Sequence, residues 1–438
     1  MADQGLTAVL GAWECTVQRR NTAQNYFYFS LLLLGILLST ISRRLEPLCV
    51  VLPLAIALVY SHLTRAVPVL WVDCTVTPTR AFEGDPLTVR TTIKAETFVP
   101  PMELWHLLPA GAACLDGHPR VLFTLRPGEE RTFEHQVVFT RRGKYTLGRL
   151  HSRIHAGAGI QPLLAEYRFD YVCSIYPHIT PLPHHILPWH PQASFGNYVA
   201  RTAGEGLEFA SIRPYSSGDR VRRIHWRTSL KRQQLYVNEY YHERNADVIV
   251  LLDTLVSVGN PQEANTLDIA VRAAASLASH YLRQKDRVGL VNYGGVCTWV
   301  LPGAGQQQMH RILDTLLETR THFSYLTKDV TLIPPRVLPP GALIFVITTL
   351  LDRRIEAALH DLVARAFQLV LVVISPTHVL RMSPHQAEGT ARLWRLETEL
   401  RLHEFRRLGI PLIVQQSDDP LLGLHTMFSR GNVWLRGR

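Results

Sequence analysis

The most informative segment of the chain is EFASIRPYSSGDRVRRIHWR, residues 208–227. Gly218 and Asp219 are typical of a tight turn, because glycine tolerates a positive φ and an aspartate side chain accepts hydrogen bonds from nearby backbone amides. Further along, the apolar run VIVLL at 248–252 ends at Asp253. The sequence therefore predicts a turn that is followed by a buried strand with a carboxylate at its end.

The segment is strongly basic. Seven cations surround the single carboxylate of Asp219: Arg213, Arg220, Arg222, Arg223, Arg227, Lys231 and Arg232. Trp226 lies between Ile224 and Tyr236 in a period-two pattern that favours a strand or hairpin, and its ring could cover an arginine stem. Two interpretations stay open. The segment is either an arginine and aromatic network that fixes it onto the following sheet, or a site for an anion or an acidic partner. Neither interpretation makes the segment catalytic.

The order of residue types resembles a known family signature. The pattern R-x-Y-x-x-G-D at 213–219, then R-x-I-x-W-R at 222–227 and the acid-tipped strand, resembles the core of the family called domain of unknown function 58. The residues that carry the resemblance are Arg213, Tyr215, Gly218, Asp219, Arg223, Trp226 and Arg227. The order of elements supports it over nearly the whole chain. Since the role of that family is poorly defined, the resemblance implies an architecture rather than an activity.

Length, charge and cysteine content set broad limits. A chain of 438 residues is expected to form two or three domains. The net charge of +10 permits a negatively charged partner or membrane surface. Six cysteines are scattered without a C-x-x-C pair, which argues against a zinc site and a disulfide framework. A single bridge between Cys74 and Cys173 stays open, although a reducing compartment is the simpler expectation.

Residues 1–65 predict a membrane anchor. Two apolar runs, at about 26–41 and 48–62, are separated by the polar stretch SRRLEP. Each run is slightly shorter than the roughly 20 residues that cross a bilayer, but aromatic residues at the ends can extend the span. We expect a transmembrane helix hairpin, and two buried core helices are the alternative. Arginines before and after the hairpin outnumber those in its turn, which places the soluble domains of a two-pass cell-membrane protein in the cytoplasm.

Residues 70–176 change to short alternating segments that are separated by turn signals. This pattern predicts an all-β sandwich of the immunoglobulin type. Residues 177–206 are rich in proline and histidine and are expected to form a linker. Its histidines match no usual ligand spacing, so we predict no metal site from His178, His184, His185 and His190.

The signature segment, 207–246, leads into residues 247–438, where apolar strands alternate with amphipathic helices. Continuous apolar strands between helices predict a largely parallel sheet that is covered on both faces. The layout resembles a von Willebrand factor A domain, including an early antiparallel hairpin. The predicted fold class is thus α/β, with a doubly wound, von Willebrand factor A-like sheet after the helix hairpin and the immunoglobulin-like sandwich.

Ligands of such sheets bind beyond the carboxyl ends of the strands. The resemblance to von Willebrand factor A domains implies a magnesium site with a D-x-S-x-S loop, a threonine and a second aspartate. Asp253 and Ser257 match this set, but Leu255 replaces a serine and Thr349 stands where the second aspartate is expected; Thr321 could supply the threonine. We expect no confident metal site and no cofactor, because Mg²⁺ rarely dehydrates for so little protein charge. The alternative role of Asp253 is a capping acid.

Catalytic motifs do not support an enzyme. The chain has no G-x-x-x-x-G-K-[ST] loop, no G-x-G-x-x-G after a strand, no G-x-S-x-G elbow and no H-E-x-x-H helix. The family resemblance implies a membrane-anchored, non-enzymatic interaction scaffold that works with a MoxR-type AAA+ ATPase in assembly or maturation of protein complexes or the cell envelope. The alternative is a basic segment that binds anionic lipid or another polyanion at the membrane surface. Nucleic acid is not expected, because the aromatic residues are expected in the core. A hydrolase or transferase is a third reading without a supporting motif.

Overall fold

The computed structural model describes residues 6–7, 14–18, 23–43, 46–63, 68–155, 162–182, 198–244, 247–260, 265–322, 330, 333–376, 379 and 384–414. The chain divides into two compact units, Met1–Ile175 and Tyr176–Arg438.

In the first unit, the two apolar runs lie in helices α1 (Ala23–Ser42) and α2 (Glu46–Leu63), which pack against each other. Gly35 permits the close approach, since a Cβ at that position would lie 2.0 Å from Cγ2 of Val51. The outward side chains are largely apolar and exposed, for example Leu33, Ile41 and Ile56. Within the described part of the chain, no helix is both long and apolar enough to count as a membrane span.

The strands of the first unit pair into antiparallel sheets. They are β1 (Leu6–Thr7), β2 (Glu14–Gln18), β3 (Leu70–Thr77), β4 (Arg80–Phe82), β5 (Pro86–Ala95), β6 (Val99–His106), β7 (Ala112–Gly117), β8 (Arg120–Leu125), β9 (Glu130–Phe139), β10 (Gly143–Ile154) and β11 (Leu163–Tyr176). One sheet has the order β1-β2-β11-β10-β6-β8, with β4 paired to β11, and the other has the order β3-β5-β9-β7. Buried and partly or fully exposed side chains alternate along β5, so one face of that strand points inward.

Both sheets contribute to a single core, which includes Val89 and Val137 from one sheet and Leu104 and Leu150 from the other. Cys74 and Cys173 are free thiols in this core, so the bridge that the sequence left open does not form. Burial raises the pKa of the Cys74 thiol to about 11, which keeps it protonated at neutral pH.

The second unit begins with a two-stranded antiparallel sheet of β12 (Tyr198–Pro214) and β13 (Tyr236–Arg244). The expected linker, 177–206, is wrong at its end, because residues 198–206 belong to β12 and pair with β13. Between the two strands lie a turn of 3-10 helix (Val221–Arg223) and the short helix α3 (Trp226–Arg232). The expectation that the linker histidines form no metal site lies mostly outside the described residues, which include only His178 of the four.

A six-stranded sheet follows, with the order β16-β15-β14-β17-β18-β19. Its strands are β14 (Asp247–Asp253), β15 (Arg287–Tyr293), β16 (Thr298–Gly303), β17 (Leu343–Thr348), β18 (Gln368–Val373) and β19 (Leu412–Val414). Only the edge strand β16 is antiparallel. Every residue of β14 and of β17 is buried, as expected for strands that are covered on both faces.

The covering helices are α4 (Thr266–Arg283), α5 (Gln306–Glu318), α6 (Arg353–Ala364) and α7 (Pro384–Arg407). On one face, Tyr281 of α4 packs against Phe345 of β17 with ring centroids 5.4 Å apart. On the other face, Ile344 and Val346 of β17 share a core with Leu359 of α6 and Phe405 of α7. The side chains of β17 thus alternate between two helical layers.

Candidate functional site

The turn at 213–219 is held by an ion pair within the signature. The guanidinium of Arg213 donates two hydrogen bonds to the carboxylate of Asp219, at 2.8 and 2.6 Å. The same carboxylate accepts a 2.8 Å hydrogen bond from the backbone amide of Ser216. The Arg213 bonds, followed by the Ser216 amide, lower the pKa of Asp219. Gly218 has a φ of +108°, a conformation that L side chains rarely adopt. Three polar groups, the Arg213 guanidinium, the Asp219 carboxylate and the Ser216 amide, thus fix one sharp turn.

The chain then closes back onto β13. The amide of Tyr215 donates to Leu235 O, and the amide of His225 donates to Tyr236 O, both at 2.8 Å. Ile224 forms an isolated bridge with Val237, and both side chains are buried. These contacts order the segment between β12 and β13, which begins and ends at the same end of the strand pair.

Helix α3 is capped and anchored by side chains that the sequence pattern did not single out. His225 Nδ1 accepts a hydrogen bond from the Thr228 amide and caps the helix. The hydroxyl of Ser229 donates to His225 O and accepts from the amide of Tyr236. At the other end, Gln233 adopts the left-handed conformation, with a φ of 53°, and ends the helix. The buried face of α3 is therefore polar, and its hydrogen-bonding groups have partners.

The prediction for Trp226 is wrong. The tryptophan is the first residue of α3 rather than part of a strand, and its side chain is 60% exposed rather than in the core. The period-two pattern failed because this segment forms a helical turn. His225 caps that turn at Thr228, three residues later, and the hydroxyl of Ser229 points inward. Arg227, the next signature residue, is exposed, and Arg223 is half-buried close to Asp219.

A second group of polar side chains lies at the carboxyl ends of β14 and β17. Asp253 is buried, and its Oδ2 accepts a 2.6 Å hydrogen bond from the hydroxyl of Thr348. Its Oδ1 accepts from the amide of Leu255 at 3.0 Å. The Thr348 hydroxyl in turn accepts from the amide of Leu350 at 2.9 Å. Asp253 therefore joins two strand ends and caps its own loop, as the capping interpretation expects.

Burial dominates the electrostatics of this carboxyl group. It raises the pKa of Asp253 to about 6, although the bonds from Thr348 and Leu255 oppose the shift. Nearby, Asp352 caps helix α6 through the amide of Arg354 and pairs with the guanidinium of that residue at 2.6 Å. The Arg354 bonds lower the pKa of Asp352. The edge thus holds one acid with a raised pKa beside one that is firmly ionised.

The other residues of the magnesium set that the von Willebrand factor A resemblance implies lie in different environments. Ser257 is half-buried, and Thr321 is exposed. Thr349, at the expected place of the second aspartate, is buried, and its hydroxyl has no hydrogen-bond partner among the described residues. Among the described residues, no group of three or more His, Cys, Asp or Glu side chains could hold a metal ion. Asp253 is contacted by Thr348, which lies one position before Thr349, the residue at the expected place of the second aspartate.

Sequence reasoning also missed an exposed apolar stripe on α7. Leu393, Leu396 and Leu400 are 71%, 55% and 77% exposed. Their spacing of three and four residues puts them on one face of the helix. Leu402 and Phe405 are buried and lie on the opposite face. The leucine spacing in the sequence indicates both faces, but an amphipathic pattern alone does not predict that the second apolar face is exposed.

The fold and these sites define a chain in which an antiparallel β unit precedes an α/β unit with a basic, clamped turn. A family model described as "Protein of unknown function DUF58" matches residues 211–380. The matched stretch includes the turn, helix α3 and the strand ends around Asp253. The resemblance inferred from the signature residues is confirmed over this stretch.

A curated relative is the "Uncharacterized protein YeaD" of Bacillus subtilis, which is 24% identical over 49% of this chain. The match covers 54% of that protein, so the chain spans about half the length of this relative. Two solved structures are similar to part of the chain. The cupredoxin domain of amoB from Nitrosocaldus yellowstonii is 17% identical, with a TM-score of 0.19 over 30% of this chain and 99% of that one. The C-terminal domain of wzt is 12% identical, with a TM-score of 0.18 over 31% of this chain and 91% of that one. Scores of this size establish no shared fold.

Proposed function

We propose that the chain is a membrane-anchored, non-enzymatic scaffold whose α/β unit binds a partner protein. The observation that carries this proposal is the leucine stripe on α7. Proteins commonly recognise one another through large apolar side chains that recur on one exposed face of a helix. Leu393, Leu396 and Leu400 provide such a face.

The second helical face explains why the stripe is available. Leu402 and Phe405 already attach α7 to the core of the sheet. Because the leucine stripe lies on the opposite side of the helix, it contributes nothing to that attachment. Three exposed leucines cost solubility without stabilising the unit, which is the pattern expected of a surface that is covered in a complex.

The polar edge around Asp253 favours a structural role over a catalytic one. Both oxygens of Asp253 accept hydrogen bonds from Thr348 and Leu255, and the acid is buried. A general base or nucleophile needs to reach a substrate. We propose that the unit works without a bound metal or cofactor. Millimolar Mg²⁺ should leave the unfolding midpoint of the full chain unchanged; a rise that Asp253→Ala abolishes would show that a metal binds.

The partner class comes from the family resemblance. A MoxR-type AAA+ ATPase is the proposed partner, in assembly or maturation of protein complexes or the cell envelope. The two-pass anchor proposed for α1 and α2 would hold the soluble units at the cytoplasmic face of the cell membrane. Exposed apolar side chains on both helices, such as Leu33 and Ile56, support contact with lipid.

Partner binding is tested by co-purification of the full-length chain with a MoxR-type ATPase from the same genome. The variant Leu393→Gln/Leu396→Gln/Leu400→Gln should lose the ATPase from the complex. A matched control changes three exposed leucines elsewhere to glutamine, at Leu115, Leu122 and Leu301. The proposal is overturned if the wild type, the variant and the control recover equal amounts of the ATPase, or if none of them recovers it. The anchor is tested separately: the chain should stay with membranes after alkaline extraction.

A further inference from the structure

The excursion between β12 and β13, residues 220–235, combines exposed apolar side chains with a high density of positive charge. Its position is fixed, because hydrogen bonds from Tyr215 and His225 to the first residues of the returning chain tie it to the end of the strand pair. The bridge between the buried residues Ile224 and Val237 also attaches it to β13. We call residues 220–235 the basic excursion.

The apolar side chains of the basic excursion point into solvent. Trp226 is 60% exposed, Leu230 is 78% exposed and Val221 is 64% exposed. Leu235 is exposed as well. Trp226 and Leu230 lie four residues apart on α3 and therefore form one stripe along the helix. The core of the unit does not use these side chains, since α3 is attached through the buried Ser229.

The charge of the basic excursion has one sign. Residues 220–235 contain six cations and no aspartate or glutamate: Arg220, Arg222, Arg223, Arg227, Lys231 and Arg232. Arg227 and Lys231 are exposed and four residues apart, so they form a second stripe next to that of Trp226 and Leu230. Arg232 packs over the ring of Tyr236, with 5.4 Å between its guanidinium carbon and the ring centroid.

We propose that the basic excursion docks onto the surface of an anionic lipid bilayer, with Trp226 and Leu230 entering the interface and the cations contacting lipid phosphates. A tryptophan is well suited to the headgroup region because its ring is amphipathic. Aliphatic side chains gain free energy when they leave water for acyl chains. The flanking arginines and lysine complement the negative surface potential of such a membrane.

Other anionic partners fit this surface less well. Single-stranded nucleic acid is bound through several aromatic platforms, and the exposed part of the basic excursion offers one tryptophan among three aliphatic side chains. An acidic protein would neutralise the charge but would not need the leucine and valine side chains to be exposed beside it. The inference is independent of the leucine stripe on α7, since it concerns other residues and another partner.

Hydrogen–deuterium exchange of the full chain tests the proposal locally. The chain is measured with bilayers of phosphatidylcholine alone and with an equimolar mixture of phosphatidylcholine and phosphatidylglycerol. Peptides that span 220–235 should become protected only in the mixed bilayer, and high salt should reverse the protection. Peptides of α1 and α2 report on the proposed anchor in the same experiment, so that failure of the anchor and failure of this docking surface are distinguishable.

Two variants separate charge from apolar contact. Arg227→Gln/Lys231→Gln should raise the lipid concentration that gives half-maximal protection roughly thirtyfold, because each cation near an anionic surface contributes about a factor of five to binding. Arg406→Gln/Arg407→Gln removes two exposed cations from the end of α7 and should have no effect on 220–235. Trp226→Ser/Leu230→Ser should also weaken protection, whereas Trp299→Ser/Leu301→Ser, on the exposed edge strand β16, should not.

The proposal is overturned if 220–235 exchanges equally in both bilayers, or if both charge variants weaken binding equally. It is also overturned if a single-stranded or double-stranded oligonucleotide protects 220–235 while the mixed bilayer does not. In that case the excursion would be a nucleic-acid surface.

Discussion

The hydroxyl of Thr348 donates a 2.6 Å hydrogen bond to the buried carboxylate of Asp253, and this contact joins the ends of two neighbouring parallel strands. The hydroxyl also accepts from the amide of Leu350, so one threonine links the β14 loop with the β17 loop. Asp253 is therefore part of the hydrogen bonding of the sheet edge.

The raised pKa of Asp253 predicts a pH dependence of stability. The folded acid keeps its proton up to about pH 6, whereas the unfolded acid loses it near 3.8. The free energy of unfolding therefore falls as the pH rises between these values and stays low above them. Asp253→Asn cannot ionise, so it should lack this fall and gain up to about 3 kcal/mol relative to the wild type between pH 4 and pH 7. Unfolding midpoints across this range check it; parallel profiles for the two proteins would contradict it.

Adjacent threonines give a matched pair of substitutions. Thr348→Val removes the donor to Asp253 and the acceptor of the Leu350 amide, and it should cost about 1–3 kcal/mol because buried groups are left unpaired. Thr349→Val removes a buried hydroxyl for which the described part of the chain offers no hydrogen-bond partner, so it should be neutral or slightly stabilising. Thermal unfolding of the full chain compares the two. A larger loss at position 349 would show that the hydroxyl of Thr349 has a ligand in solution.

Two histidines connect the sheets of the first unit. The amide of Gly148 donates to Nε2 of His106, so the other ring nitrogen of His106 carries the hydrogen and donates to Nε2 of His135 at 3.0 Å. Burial, followed by the neighbouring His135, lowers the pKa of His106 to about 4. Burial also lowers the pKa of His135. The His106 ring is therefore neutral in the folded state down to about pH 4, and the His135 ring takes up its proton at a lower pH than an exposed histidine does.

Because the unfolded chain binds these protons first, the first unit should lose stability as the pH falls from about 6.5 towards 4. The loss from His106 alone should reach about 3 kcal/mol. Faster exchange of β6 and β9 peptides at pH 5 than at pH 7, after correction for the intrinsic rate, measures it. His135→Gln keeps an acceptor and should flatten the profile, whereas His403→Gln, on the exposed side of α7, should leave it unchanged. A profile that His135→Gln does not alter would show that His135 does not contribute to the loss of stability.

Periodicity was sufficient to predict the elements of the six-stranded sheet. The run at 248–252 is part of β14, and amphipathic helices such as α5, Gln306–Glu318, alternate with the apolar strands as expected. Buried strands and amphipathic helices differ in composition and length, so local sequence distinguishes them. The names of the folds, von Willebrand factor A-like and immunoglobulin-like, stay predictions, because strand order depends on contacts between distant residues.

The site was less predictable for a physical reason. Thr348 and Thr349 are the same residue type in sequence, but the Thr348 hydroxyl, at the last residue of β17, is the one that contacts Asp253. Trp226 looked like a core residue because large aromatic side chains usually are. Its exposure depends on the cap at His225 and the inward bond of Ser229, which a period-two pattern does not reveal.

Two glycines with open space around the α-carbon should respond to alanine in opposite directions. Within the described part of the chain, no atom lies within 4 Å of a Cβ built on Gly218 or on Gly389. Gly218 has a φ of +108°, so Gly218→Ala should strain the turn that Arg213 and Asp219 hold, at a cost of about 1–3 kcal/mol. Gly389 lies inside α7 without a positive φ, and Gly389→Ala should stabilise that helix by up to about 1 kcal/mol. Exchange rates of the 214–219 and α7 peptides measure each effect separately. If Gly218→Ala leaves the turn as protected as before, backbone strain is not the reason for glycine at this position, and a close-approaching ligand would be the next explanation to test.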